Sequence, residues 1–238
     1  MNKKLFYGLG SLSYSVISQT ISNFFMFFAT SVLGINGTLV GVAVAISTIW
    51  DGVSDTIIGF ASDNKPIGKL GKRNGYMLIA TIGMSIVNIF LWCIPNDIDV
   101  FGKFVWMLLS LLILETFNTM FSTPYMALGN ELAVSSHDRT KINAWSTVFY
   151  LIGIMVPSIL LLVFLPNTEE YPIGQLNPKG YVNIALVTSI ICLVFGLISS
   201  LLTIQKDNNP SHSSSQKQTI SQVFANFISV FKNKRFYN

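Results

Sequence analysis

The sequence predicts an all-α membrane protein with six transmembrane helices. Of its 238 residues, 51% are hydrophobic and only 11% are charged, whereas roughly 25% charged residues is usual for a soluble domain. Apolar windows of about 20 residues, the length at which a helix crosses a bilayer, occur six times along the chain. The predicted spans are residues 5–33, 38–61, 76–94, 105–129, 142–165 and 181–204.

The first span is unusually polar for a membrane helix. It follows the basic start Lys3 and Lys4, but no small-residue cleavage pattern follows it, so we interpret it as a retained span and not as a signal peptide. Ser15 and Gln19 belong to a series of hydroxyl and amide side chains along it. Such a helix suits a polyhydroxylated ligand, although serines that bond back to their own helix are an equally good explanation.

The second span carries two carboxylates one helical turn apart, Asp51 and Asp55, with Ser54 between them. At this spacing the two acids point to the same side of the helix. Each costs about 2.5 to 3.5 kcal/mol at the centre of a bilayer, so both are expected to face a wet cavity, a bound cation or a polar partner. Oxygen ligands of this kind suit Na⁺, Li⁺ or a shared proton.

The fourth span adds a polar stripe in which Glu115, Thr119 and Ser122 recur at helical spacing before Pro124. A stripe of this kind lines an aqueous pathway or joins helices. Thr119 offers a hydroxyl ligand to the cation of the second span. Glu115 fits two roles equally well, a functional carboxyl or a protonated structural hydrogen-bond donor.

The remaining spans contain fewer candidate functional residues. In the fifth, Ser146 lies near the cytoplasmic end beside Asn143 and Trp145. Cys93 and Cys192 fall within or at the edge of apolar spans and indicate no disulfide framework.

The basic residues predict the orientation. If the six predicted spans cross the membrane in turn, 13 of the 15 Lys and Arg residues fall on one side. The positive-inside rule then places both termini in the cytoplasm of a multi-pass protein of the cell membrane. The net charge of +4 is explained by this topology and requires no nucleic-acid partner.

Beyond the six-helix region of residues 1–204, we expect a flexible cytoplasmic linker at 205–219, because this stretch is rich in Asn, Ser and Gln. Residues 220–238 have apolar side chains at helical spacing and a basic end. This pattern predicts an amphipathic interfacial helix that leads to a missing seventh span.

Enzyme classes are excluded by what the sequence lacks. It has no phosphate-binding Gly-x-x-x-x-Gly-Lys loop, no Cys/His metal spacing and no Ser/His/Asp set in plausible register. We therefore expect no enzyme activity and no cofactor other than a coupling ion.

The assembled motifs resemble the glycoside-pentoside-hexuronide:cation symporters of the major facilitator superfamily, the group that includes the bacterial melibiose permease. The resemblance runs over essentially the whole chain. It rests on Tyr7-Gly8-Leu9-Gly10, Trp50-Asp51 with Asp55 and Gly59, Gly71-Lys72-Arg73, Pro124-Tyr125, Asp138-Arg139-Thr140 and Lys232-Asn233-Lys234.

The resemblance implies a cation site and a sugar site. Its cation residues correspond to Asp51, Ser54, Asp55 and Thr119, and Na⁺ would be held by Asp51 and Asp55. The charged and aromatic sugar-binding positions of the melibiose permease align with Ser15, Ser122, Met126 and Ser146, which implies a substrate other than the same galactoside. Together with Gln19 and Glu115, these four are the candidate substrate residues.

The resemblance also implies the architecture. Family members have twelve spans in two six-helix halves with the substrate between them, and this chain corresponds to the amino-terminal half, built from two inverted three-helix repeats. One half alone would expose its polar inner face to lipid. We therefore expect a truncated chain, a split gene with a separate carboxy-terminal half, an obligate homodimer or a degenerate remnant.

Three functions follow as hypotheses. The first is cation-coupled transport of a sugar or glycoside by alternating access. The second is a non-transporting membrane scaffold or remnant, in which the acids only pair with another helix. The third is cation-coupled transport of a lysolipid, as in vertebrate relatives of the family.

Overall fold

The six predicted spans are all helical in the computed structural model, which describes residues 3–67, 70–71, 73–95 and 97–204. The predicted linker at 205–219 and the predicted amphipathic helix at 220–238 lie outside the described residues. The helices are α1 (Lys3–Phe27, continued by a π-helical turn Phe28–Val32), α2 (Gly37–Asn64), α3 (Asn74–Trp92), α4 (Val100–Leu132), α5 (Ser136–Phe164) and α6 (Pro178–Leu202).

The helix starts are specified by short polar side chains. Asn36, Asp99, Ser135 and Asn177 each precede a helix and accept a hydrogen bond from a backbone N–H of its first turn. These caps satisfy donors that have no partner within the helix. They also extend α4 and α5 several residues beyond the apolar spans predicted from hydropathy.

By length and composition, α2 to α6 could each cross a membrane. The helix α1 is not among them, because its many serine and amide side chains lower its hydropathy. The sequence nevertheless predicts α1 as a span, and the structure packs it at the centre of the helices, against α5 and α6.

The packing follows a repeated pattern. The helix α1 packs against α5 and α6, and α4 packs in the corresponding way against α2 and α3. In addition, α3 packs against α6. Exchanging α1 with α4, α2 with α5 and α3 with α6 leaves these principal contacts unchanged. This is the relation expected of two three-helix repeats, and the predicted fold class is confirmed.

Buried polar groups join the helices as in other membrane bundles. The Asn88 side-chain amide on α3 lies 3.2 Å from the Ala185 carbonyl oxygen and 2.9 Å from Ser189 Oγ on α6. Trp92 stacks on Tyr181, with ring centroids 5.6 Å apart. Because lipid gives no hydrophobic drive between helices, such hydrogen bonds and close packing carry the association.

Candidate functional site

The helices α2 and α4 run in the same direction and are joined by side-chain hydrogen bonds in constant register. Thr119 bonds to Asp51, and Thr123 bonds to Asp55, each across 68 positions of the chain. Trp50, the residue before Asp51, donates its indole N–H to Thr116 Oγ1 at 2.8 Å, about one turn before Thr119 on α4. The α2–α4 interface therefore presents both predicted carboxylates to hydroxyl groups of α4.

The side chains at the α2–α4 interface form a polar cluster. In it, three of the predicted cation residues, Asp51, Ser54 and Thr119, are in direct contact. Thr119 Oγ1 donates to Asp51 Oδ1 at 2.8 Å, and the Ser54 Oγ lies 3.2 Å from Thr119 Oγ1. Ser54 also lies 3.0 Å from the main-chain oxygen of Asp51. Ser54 and Thr119 are buried, whereas Asp51 is half-buried. The carboxylate of Asp51 is thus held by Thr119 and is only partly buried.

Asp55, the fourth predicted cation residue, lies in the same cluster one turn after Asp51 on α2. Its Oδ1 accepts a hydrogen bond from Thr123 Oγ1 at 3.1 Å, and its side chain is exposed on the open face of α2. Asp51 and Asp55 lie one turn apart on α2, so both carboxylates point toward the same side of the helix.

The donor set fits a monovalent cation. It offers two carboxylates and the hydroxyl oxygens of Ser54 and Thr119, which are hard oxygen ligands. Among residues 3–67, 70–71, 73–95 and 97–204, no group of three or more His, Cys, Asp or Glu side chains is placed to hold a metal ion.

Glu115 lies one turn before Thr119 on α4, so the two side chains point toward the same side of the helix. The Asn118 side-chain amide donates to Glu115 Oε2 at 3.3 Å. Both residues line a cavity of about 180 Å³ between α1, α3 and α4. Its other lining residues are Ile17, Ser18, Ile21, Ser22, Met84 and Leu114.

A second cavity, of about 280 Å³, opens between α1, α4 and α5 and is rich in aromatic and hydroxyl groups. Met126 and Ser146 belong to it, together with Tyr7, Ser11, Tyr14, Tyr125, Asn143, Thr147 and Tyr150. No Asp, Glu, Lys or Arg is among these residues. The cavity therefore suits a neutral part of a ligand.

The candidate substrate residues are spread over several places. Glu115 lines the first cavity, and Met126 and Ser146 line the second. Gln19 donates to Asn23 Oδ1 at 2.7 Å on its own helix. The remaining two are Ser15, which is buried between α1 and α5 and donates to the Leu12 carbonyl, and Ser122, which is half-buried on α4. The structure thus brings together two of the six, Met126 and Ser146.

Sequence reasoning missed a pair of tyrosines that joins α1 to α4. The rings of Tyr7 and Tyr125 are stacked, with centroids 4.2 Å apart, and each hydroxyl donates to the main-chain oxygen of the other residue. Tyr125 also bonds to Ser11 at 2.8 Å and to Ser146 at 3.1 Å. Both tyrosines stand in the motifs quoted for the family resemblance, but neither motif indicates that the two rings pair.

Comparison with known proteins gives a consistent result. The model of the family described as MFS/sugar transport protein matches residues 6–238. The chain is 26% identical to an uncharacterized symporter of Synechocystis over 225 residues, which is 92% of this chain and 40% of that protein. It is 23% identical to the inner membrane symporter YicJ of Escherichia coli, over 95% of this chain and 48% of YicJ.

A vertebrate relative differs in its named substrate. The chain is 25% identical to the sodium-dependent lysophosphatidylcholine symporter 1-A of Danio rerio, over 69% of this chain and 31% of that protein. The chain spans less than half the length of each of these curated relatives.

Proposed function

The chain belongs to the family of MFS/sugar transport proteins, and from this premise we propose that it supplies the amino-terminal half of a cation-coupled secondary transporter. The observation that carries the proposal is the polar cluster between α2 and α4. There, two aspartates inside an apolar helix face hydroxyl groups in constant register. Several relatives are named as symporters, which supports the same function.

The cation is proposed to bind at Asp51, Ser54, Asp55 and Thr119. Two carboxylates one turn apart repel each other, and each is costly to hold in a membrane without a counter-charge. A bound Na⁺, Li⁺ or proton removes part of this repulsion and favours the arrangement in which both carboxylates converge. Sodium is the ion that we favour, because Thr119 and Ser54 supply neutral oxygen ligands in addition to the acids.

The substrate is proposed to be a sugar or glycoside that binds to the α1 and α4 side of the bundle. The description of the family supports this class. So do the two cavities, where Glu115, Ser146 and several hydroxyl groups offer partners to a polyhydroxylated molecule. Small-molecule sites typically combine an apolar wall with a few placed polar groups, and both cavities have this composition.

A lysolipid is the second candidate substrate. Its support is the similarity to the zebrafish lysophosphatidylcholine symporter, together with the aromatic residues and Met126 in the cavity between α1, α4 and α5. A lysolipid would place a long apolar chain against these residues, whereas a sugar would use their hydroxyl groups.

The complete transporter is proposed to contain a second six-helix unit, either a separate carboxy-terminal half or a second copy of this chain. Few residues of α2 and α5 are buried within the bundle. Their open sides carry Asp55 and large apolar residues such as Ile49 and Leu151. With both termini in the cytoplasm, the two units would rock against each other around a site near the membrane midplane.

The test is sodium binding and sodium-driven uptake. The chain is reconstituted in liposomes, alone and with a second six-helix half, and the binding of ²²Na⁺ and the uptake of radiolabelled sugars and lysophosphatidylcholine are measured. We expect the double variant Asp51→Asn, Asp55→Asn to lose sodium binding and sodium-driven uptake. Asp99→Asn is the matched control, because asparagine caps a helix as well as aspartate does. Sodium binding that survives in the double variant would refute the proposed coupling site.

The substrate panel separates the two transport candidates. If a sugar is taken up and lysophosphatidylcholine does not compete with it, the first candidate is favoured. Competition by the lysolipid and not by sugars favours the second. Stable protein in the membrane that neither binds sodium nor transports would support the scaffold hypothesis instead.

A further inference from the structure

Thr123 is a hydroxyl of the α2–α4 cluster to which the sequence pattern assigned no role. It follows Thr119 by one helical turn on α4, and the residue after it is Pro124. Its Oγ1 donates to Asp55 Oδ1 at 3.1 Å. This is the same relation that Thr119 has to Asp51, shifted by one turn of both helices.

The choice of partner by this hydroxyl is informative. A threonine in a helix can always bond back to a carbonyl of its own preceding turn, and Thr20, Thr81 and Thr188 do so in this chain. So does Thr116, which donates to the Leu112 carbonyl at 2.7 Å on α4 itself. Thr119 and Thr123 donate instead to carboxylates on α2.

The methyl group of Thr123 helps to fix this orientation. On the α2 side it faces Gly59, one turn after Asp55, at a position where a Cβ would be 3.5 Å from Thr123 Cγ2. The methyl group thus faces Gly59 while the hydroxyl faces Asp55. The side chain is therefore set between two successive turns of α2.

The Asp55 side chain is less enclosed than that of Asp51. Asp51 is half-buried beside the buried side chains of Ser54 and Thr119, but Asp55 is exposed. Within the described residues, each carboxylate accepts one side-chain hydrogen bond, that of Asp51 from Thr119 and that of Asp55 from Thr123. The exposed Asp55 has little burial to order its carboxylate apart from the bond from Thr123. Without it, this carboxylate would be free to rotate about its side-chain bonds.

We propose that Thr123 is a positioning residue of the cation site, which holds Asp55 Oδ1 so that the second carboxylate oxygen is presented to the ion bound by Asp51. This inference rests on the proposed function, because it assumes that Asp51 and Asp55 bind a cation. It adds a residue that sets the geometry of the site, since ordering a carboxylate before binding lowers the cost of binding.

The test compares two isosteric variants on the same face of α4. Thr123→Val removes the hydroxyl that holds Asp55. Thr116→Val removes a hydroxyl that contacts Trp50 and no aspartate. Each variant chain is placed in lipid nanodiscs, and ²²Na⁺ binding is measured together with displacement by Li⁺ and the melting temperature without sodium.

We expect Thr123→Val to weaken sodium binding about tenfold, as suits the loss of a hydrogen bond to a charged group. It should also change the ratio of Na⁺ to Li⁺ affinity, since the two ions need different ligand distances. Thr123→Ser, which keeps the hydroxyl, should bind sodium within about twofold of the unaltered chain, and so should Thr116→Val. Should Thr123→Val fail to fold, Thr123→Cys replaces it under the same criterion, because a thiol is a weak donor.

The outcomes separate this inference from the proposed function. Normal binding in Thr123→Val, with binding lost in Asp51→Asn, Asp55→Asn, would overturn the role of Thr123 and leave the cation site standing. Equal weakening in Thr123→Val and Thr116→Val would also overturn it, because the effect would then be one of helix packing. Normal binding in the double aspartate variant would remove the proposed function and this inference together.

Discussion

At the scale of single residues, glycines decide how closely the helices approach. A Cβ on Gly10 would lie 2.6 Å from Tyr125 Cε2 and 2.7 Å from Ser199 Oγ, so α1 can meet α4 and α6 only because no side chain stands there. Gly41 on α2 has open space instead: among the described residues, and apart from the nearby backbone of α2 itself, no atom lies within 4 Å of the corresponding position. An added side chain would therefore clash at Gly10 and would fit at Gly41.

We expect Gly10→Ala to lower the free energy of unfolding by about 1 to 3 kcal/mol, because the added methyl group overpacks the interface. Gly41→Ala should raise it by about 0.5 to 1 kcal/mol, because alanine loses less entropy than glycine in a helix. Reversible unfolding of each variant in mixed micelles measures both. A Gly10→Ala variant as stable as Gly41→Ala would contradict the close approach of α1 to Tyr125.

Only part of the candidate cation site could be predicted from the sequence. Asp51, Ser54 and Thr119 could be grouped because the two acids stand out in an apolar span and the resemblance supplied their partners, and the structure brings these three side chains into contact. Thr123 could not be added in the same way. A helical threonine ordinarily bonds to its own helix, so the sequence gives no sign that this hydroxyl reaches across to α2.

At the scale of helices, an ion pair joins the beginnings of α1 and α5. The Lys4 ammonium donates to Asp138 Oδ1, and Asp138 lies in the first turn of α5, before the apolar residues begin at Ile142. The hydrogen bond from Lys4 holds the pKa of the Asp138 carboxyl below its usual value. This contact is at the end of the bundle for which the basic residues predict a cytoplasmic location.

The pair should contribute to stability in a pH-dependent way. Because the pKa of Asp138 is lower in the folded chain than in the unfolded one, its contribution is present above the unfolded pKa of about 4 and is lost as the pH falls through the folded pKa. We expect the difference in melting temperature between Lys4→Gln and the unaltered chain to be larger at pH 7 than at pH 3.

Lys3→Gln is the matched control for this measurement. Lys3 Nζ donates to the Ile204 main-chain oxygen at 3.2 Å, and this partner does not titrate. Its effect on the melting temperature should therefore change much less between the two pH values. A difference for Lys4→Gln that is the same at pH 3 and pH 7 would contradict the ion pair.

Helix positions were the most predictable part of the fold. All six predicted segments are helices, and five of them are apolar enough to cross a membrane, because apolar windows of membrane length are a strong signal. The ends shifted by a few residues where Asp99 and Ser135 cap the helices earlier. The contact between Tyr7 and Tyr125 could not be read from either helix alone. It depends on how α1 and α4 cross, which is a property of the whole bundle.

At the scale of the whole molecule, cation and substrate should be linked. If both bind to the assembled transporter, the factor by which sodium raises the affinity for the substrate must equal the factor by which the substrate raises the affinity for sodium. We expect a factor of about 5 to 150, the usual range for such coupling. Titration of the assembled transporter with ²²Na⁺, with and without saturating sugar, measures it.

The matched control for this linkage is substrate binding by Asp51→Asn, Asp55→Asn. In that variant, sodium should leave the affinity for the sugar unchanged. A sodium affinity that the sugar does not alter in the unaltered transporter would mean that the two sites act independently.

The exchange of α1 with α4 and of α2 with α5 relates the α1–α5 interface to the α2–α4 interface, and the two interfaces are formed by different chemical groups. Where α1 meets α5, Gly8 lies against Trp145 and Gly153 lies against Ser15, so backbone touches side chain with no space between. Where α2 meets α4, carboxylates and hydroxyls span the gap. If a cation binds between α2 and α4 as we propose, its loss should therefore loosen the contact of α2 with α4 more than the glycine contacts of α1 with α5.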